Sequence, residues 1–319
     1  MVDFRYHLVS IVAVLLALAI GLVLGSAILG GPFLERLDRR VGALEDDNER
    51  LEAEILEQDR IVDEGLAFQR SVEPHLVAGR LDGRRVTVFQ FDGTEGDVVD
   101  AVRDEIELAG GAVSSTLTLT DRFALVDDVD RDQLALALGS AAAGKTELLA
   151  EAGRAIGAGA AAAGAKPLEL GPDRPLQPEA FQDLLAELEE VGFIAIDGAD
   201  PGTPPVPPDA SFVVVGGSDD QAAIGIEALA LGLIDGLSAR GAAVVAVERS
   251  ESAWGLVAAV RDDAAAREMA STVDHGETVT GRITVVLALA HASEDGAGHY
   301  GTAPGTTELL PAPPSAPAG

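Results

Sequence analysis

The chain has 319 residues, with 53 acidic and 22 basic side chains, a net charge of −31 and no cysteine. Such a polyanion repels nucleic acid, and without cysteine it has no disulfide scaffold, thiolate nucleophile, iron–sulfur cluster or cysteine-ligated zinc. A hydrophobic fraction of 47% is ample for a buried core and excludes wholesale disorder.

After a short tail (residues 1–7), the stretch 8–29 is Leu, Ile, Val, Ala and Gly broken only by Ser10 and Ser26. At 1.5 Å per residue it spans about 30 Å, the thickness of a bilayer core. A retained transmembrane helix fits better than a cleaved signal peptide, whose apolar core is shorter. Ala13, Ala17, Gly21 and Gly25 recur every four residues, so Gly21 and Gly25 can bring two such helices close together. Arg36, Arg39 and Arg40 after the segment outnumber Arg5 before it, which by the positive-inside count puts the body in the cytoplasm; large domains can translocate regardless.

Residues 33–70 read as a helical neck. Leu37, Val41, Leu44, Asn48, Leu51, Ile55, Gln58 and Val62 alternate steps of four and three, a heptad seam with Val41, Asn48, Ile55 and Val62 at a and Leu37, Leu44 and Leu51 at d, and Asn48 is the polar a residue that sets register in parallel dimers. Across a parallel pair Arg40 would attract Glu45, but Asp47 would face Glu52 and Glu54 would face Asp59. A solvated amphipathic helix is the rival reading.

Residues 75–301 read as one α/β domain. Strands are expected at Arg85–Phe91 and Ala112–Leu119, with further apolar runs at Gly192–Ile196, Ser211–Val215, Ala242–Val247, Trp254–Val260 and Arg282–Leu289. Helices are expected at Val98–Ala109, Glu179–Glu190 and Gln221–Ala239, and a loosely specified one in the Ala/Gly-rich stretch between Gly139 and Lys166. Alternation of this kind implies a mainly parallel sheet flanked by helices. Gly198–Ala210, with five prolines, reads as an extended loop, and residues 302–319 as a disordered Pro/Ala-rich tail.

Candidate sites are few. Gly139-Ser140-Ala141-Ala142-Ala143-Gly144-Lys145-Thr146 matches the phosphate-binding pattern G-x-x-x-x-G-K-[ST], in which Gly139 and Gly144 shape the loop, Lys145 meets phosphate and Thr146 holds Mg²⁺. The residues before it read as helix rather than the strand such a loop requires, so the match is taken as fortuitous. Gly216-Gly217 ends a strand where α/β sheets bind ligands, but Ser218 and Gln221 form a capping box, and Asp219 with Asp220 repels phosphate. His291 and His299, with Glu294 and Asp295 between them, are imidazole and carboxylate donors suited to Cu²⁺ or Zn²⁺. No catalytic residue is assigned.

The opening Phe4-Arg5-Tyr6-His7-Leu8-Val9-Ser10, with Val14 through Ser26, resembles the start of the mycobacterial copper transport protein B family. Further similarity lies at Gly83-Arg84-Arg85-Val86, Ala109 to Val113, Val213 to Gly217, Ser271-Thr272-Val273-Asp274, Gly281 to Leu289 and Gly298-His299-Tyr300-Gly301. The resemblance implies an actinobacterial envelope protein of copper efflux and resistance, pore-forming in the outer membrane, with copper ion as the metal and no catalytic residues. Envelope placement favours a signal-anchor with the body outside the cytoplasm. A lipid-facing barrel needs many strands of alternating character, whereas the strands here alternate with helices. The functions this leaves are a non-enzymatic, membrane-anchored, oligomeric copper-transport component, a P-loop-like nucleotide-binding enzyme, and an envelope tether that binds another protein through its neck. The expected partners are membrane lipid and further copies of the chain.

Overall fold

A computed structural model describes residues 4–29, 31–142, 144–163, 178–199, 202–217, 226–253, 255–292 and 296–312. The chain forms two units, Met1–Ala67 and Phe68–Gly319. The first contains helix α1 (Phe4–Leu29) and most of α2 (Gly31–Val77). The stretch Arg5–Gly25 is long and apolar enough to cross a membrane. Helix α2 continues seven residues beyond the expected neck. Its end belongs to the second unit, where Val77 enters the core.

The second unit is built on a seven-stranded sheet of order β3-β2-β1-β4-β5-β6-β7. The strands are β1 (Arg85–Phe91), β2 (Ala112–Leu119), β3 (Ile194–Asp197), β4 (Ser211–Val215), β5 (Val244–Val247), β6 (Ser271–Val273) and β7 (His299–Tyr300). All pair in parallel except β3, which runs antiparallel to β2 at one edge. Side-chain alternation sends Phe89, Phe91, Phe212, Val214, Val244 and Ala246 to one core. It sends Val86, Val88, Val213, Val215, Val245 and Val247 to the other. Burial on both faces explains why these strands read as continuous apolar runs.

Helices cover both faces. The second core receives α3 (Gly96–Leu108) and α10 (Val279–His291); the first receives α4 (Asp128–Leu138), α5 (Lys145–Ala162), α6 (Pro178–Glu190), α7 (Ile226–Ser238), α8 (Leu256–Asp262) and α9 (Ala264–Met269).

Two expected strands are helices. Trp254–Val260 falls largely in α8, with Trp254 outside the described residues. Arg282–Leu289 lies inside α10, whose start is set by Thr278 accepting a hydrogen bond from the Gly281 amide at 2.9 Å. Because α10 is buried nearly all round, its Ile283-Thr284-Val285-Val286 run carries no helical period, and β-branching alone suggests a strand.

The Ala/Gly-rich stretch is tightly specified. Gly153 and Gly157 on α5 meet Gly232 and Gly236 on α7, and a Cβ at any of the four would strike the facing helix's backbone. Glycines four apart on both helices let the two axes approach, the same geometric device that Gly21 and Gly25 offer in α1.

The body also continues beyond residue 301. The Thr307 amide donates to the His299 carbonyl at 2.8 Å, and Tyr300 bridges Glu308. From 313 onward the expected tail lies outside the described residues, as do the Ser218–Gln221 capping box and Glu294 with Asp295.

Candidate functional site

The strand order reverses direction between β1 and β4, so the loops leaving these strands diverge, and open α/β sheets bind ligands in the crevice this creates. Its described lips are the β1–α3 loop, Asp92 to Glu95, and Gly216-Gly217 after β4. Gly217 has φ +107°, a conformation that favours glycine, and a Cβ at Gly216 would meet Leu256. The Glu95 amide donates to the Gly217 carbonyl at 3.3 Å, and the Glu95 carboxylate pairs with Arg249 after β5. Neighbouring Glu248 accepts from the Val257 amide at the start of α8, at 3.0 Å. Burial pushes its pKa up to about 7 against the opposing pull of that amide and of Arg261. Glu277 accepts from the Ser250 hydroxyl at 2.6 Å. With Glu95 paired to Arg249 and Glu248 only partly ionised near neutral pH, this edge presents carboxylate oxygens but little unbalanced charge.

At the ends of β6 and β7 lies a buried polar knot. Arg261, 3% exposed, donates from Nε to Thr272 Oγ1 at 2.8 Å, from one terminal nitrogen to Asp274 Oδ2 at 2.8 Å, and from the other to the Tyr300 carbonyl at 2.9 Å. Asp274 also accepts from the amides of Thr302 and Ala303, each at 2.9 Å. Burial raises its pKa, but those amides and the guanidinium outweigh burial and hold it below the ordinary carboxylate value. Gly301 is required here, since a Cβ would fall on the Asp274 carboxylate. His275 Nδ1 lies 3.2 Å from Asp274 Oδ1, while its buried Nε2 has no hydrogen-bond partner among the described residues. The pair has the orienting half of a catalytic triad without a hydroxyl on Nε2.

A third cluster ties the end of α2 to the body. Arg282 of α10 reaches Glu73 at 2.9 Å and Glu105 of α3 at 3.5 Å. Burial, reinforced by Glu73 and opposed by Arg282, pushes the Glu105 pKa up to about 7.

The structure places the residues expected from sequence as follows. Gly139 is the left-handed C-cap of α4 with φ 62°, Gly144 is the N-cap of α5, and Thr146 lies in that helix's first turn. Helix α4 stands where a phosphate loop needs a strand, and Lys145 Nζ donates to the Ala124 carbonyl, so the pattern does not form a phosphate-binding loop. Thr146 instead lines an open groove of about 850 Å³ between α5, α7 and α9.

His291, at the end of α10, contacts the Leu287 carbonyl through Nδ1 at 2.7 Å. His299 sits on β7 with Nδ1 3.0 Å from Thr272 Oγ1 and Nε2 3.1 Å from the Arg267 carbonyl. Since only N–H can donate to a carbonyl, Nε2 carries the proton and Nδ1 accepts, leaving neither nitrogen for a metal. Burial first, then Arg267 and Arg261, lower its pKa. Among the described residues no group of three or more His, Asp or Glu side chains is placed to hold an ion, and Glu294 and Asp295, the carboxylates expected beside His291 and His299, lie outside them.

Sequence reasoning missed Arg261, Glu248 and the Glu95–Arg249 pair. A usable signal was present in the two family-like segments Ser271–Asp274 and Gly298–Gly301, which pair here as β6 and β7 around Arg261.

Residues 1–311 match the family described as "Copper transport outer membrane protein, MctB". The protein named Copper transporter MctB from Mycobacterium tuberculosis (strain ATCC 25618 / H37Rv) is 31% identical over 97% of this chain and 99% of its own length. The protein of the same name from Mycobacterium leprae (strain TN) is 28% identical over the same shares. The chain thus belongs to the MctB family of copper transport outer membrane proteins.

Proposed function

We propose that the protein is a non-enzymatic copper-transport component of the cell envelope, anchored by α1 with its body on the extracytoplasmic side. The observation that carries this reading is the family match, which runs from the apolar helix through the sheet to residue 311. Copper ion is the cargo. With no cysteine and two methionines in the chain, donors for it come from imidazole and carboxylate, which favour Cu²⁺ over Cu⁺. Glu248 and Glu277 at the sheet edge are carboxylate oxygen donors of that kind.

The mechanism has to work without a barrel in the body. Among the described strands the central β1, β4, β5 and β6 are buried on both faces, so they do not present one side to lipid and the other to a lumen. A path through the membrane must then come from several copies of α1 or from another protein to which this one delivers or holds the ion. Deletion of the gene tests the reading: copper tolerance is expected to fall and cell copper to rise, with restoration by the intact gene. Unchanged tolerance and copper content would overturn it.

A further inference from the structure

The neck carries an apolar seam that the described residues leave in solvent. Leu37, Val41, Leu44, Leu51, Ile55 and Val62 on α2 are 45 to 63% exposed, at the a and d spacing of a coiled coil. Helices gain most of their stability in water by packing an apolar face, so a stripe of this length calls for a partner. We propose that a second copy of this chain covers it, forming a parallel two-stranded coiled coil in register at Asn48. The parallel sense rests on the reading above that α1 anchors the chain, because necks leaving one membrane surface run the same way.

Three observations favour a copy of this chain over another protein. Asn48 occupies an a position, and a parallel copy in register supplies the matching amide across the seam. Within one chain its Nδ2 only donates to Glu52 Oε1, at 3.0 Å on the exposed surface, a bond the same side chain can exchange. At the membrane end Arg40 of one copy faces Glu45 of the other, giving two attractive pairs per dimer.

Further along, Asp47 faces Glu52 and Glu54 faces Asp59, four repulsive pairs per dimer. Arg50, paired with Asp47 at 3.2 Å on the exposed surface, offsets part of the first repulsion, whereas Arg60 turns to Glu57 and Glu64 and leaves Glu54 facing Asp59. The dimer is consequently held by its apolar seam and its membrane end, weakened in the middle by charge, and tightened by salt. Confinement to one membrane raises the effective concentration that such a weak pair needs.

Because the chain has no native cysteine, single cysteines report the geometry cleanly. Full-length Leu44→Cys, Leu51→Cys and Ala53→Cys in lipid vesicles are oxidised and run without reductant. Leu44→Cys and Leu51→Cys, at d, should cross-link at least about tenfold more than Ala53→Cys, on the outer face. Adding Glu52→Lys and Asp59→Lys to Leu51→Cys turns the repulsive pairs attractive and should raise the dimer about tenfold at low salt. Raising the salt should increase the dimer of the parent and not of the lysine variant. Equal yields at the three positions, monomer throughout, or cross-linking at Leu51→Cys without Leu44→Cys would overturn the parallel dimer. Carbonate extraction of the same vesicles separates the two readings. Protein that stays with lipid but does not cross-link refutes the dimer, and protein that is released refutes the anchor.

Discussion

Arg261 is a charge that the fold can keep only while all its partners are present. Removing it leaves Asp274 buried with two amide donors and no counter-charge, and breaking a buried pair in this way costs about 3–5 kcal/mol. Arg261→Met is therefore expected to destabilise the body by that amount in chemical denaturation. Arg261→Lys should recover little, since one ammonium cannot reach Thr272, Asp274 and the Tyr300 carbonyl together.

Two other residues give opposite pH dependences. His299 has a folded pKa below its ordinary 6.5, so the folded state takes up a proton less readily than the unfolded chain. Its contribution is present above about pH 6.5 and is lost as the pH falls. Glu105 is raised from 4.5 to about 7, so its contribution is complete below about 4.5 and is lost as the pH rises through 7. Glu105→Gln, which cannot ionise, is expected to stabilise the protein by about 1–2 kcal/mol at pH 8 and to leave pH 5 nearly unchanged, read from melting curves at both values.

Among the elements, the α5–α7 pair is the least forgiving. A methyl group at Gly157 or Gly232 meets backbone, which cannot move aside as a flexible side chain would. Gly157→Ala should cost about 2–4 kcal/mol despite alanine's better helix propensity, while Gly144→Ala, in open space at the N-cap, should cost under about 1 kcal/mol; urea titrations distinguish them.

The same pair shows what the sequence makes legible. Strands β1, β2 and β4 are readable to the residue because they are short runs rich in Val, Thr, Phe or Leu bounded by turn residues. The Ala/Gly stretch reads as weakly specified because its information is in the spaces between side chains. Those spaces acquire meaning only when the facing helix, some 80 residues later, is placed against them. Helix α10 is misread for a related reason: a helix buried on every side loses the polar face that betrays its period. Of the candidate site, Gly216-Gly217 was readable as a strand-end turn. Arg261 was not, since its partners Thr272, Asp274 and Tyr300 come together only through the pairing of β6 with β7.

For the molecule as a whole, the family assignment and the apolar helix bear on where copper meets the protein. An extracytoplasmic body predicts that added protease removes it in intact cells while the α1 fragment stays with the membrane; full protection that is lost only on lysis would place it inside. The strongly negative body should also gather cations non-specifically at low salt, so calorimetric copper titration of the full chain belongs at physiological ionic strength, where screening suppresses that background.

The strap over Arg261 bears on how far the body tolerates being shortened. Residues 300–304 furnish four of the groups that satisfy Arg261 and Asp274, so without them the ion pair at the far edge of the sheet keeps its own bond and Thr272 but loses those four partners. Trimming the chain before Tyr300 is therefore expected to loosen that edge, read as an earlier midpoint in chemical denaturation.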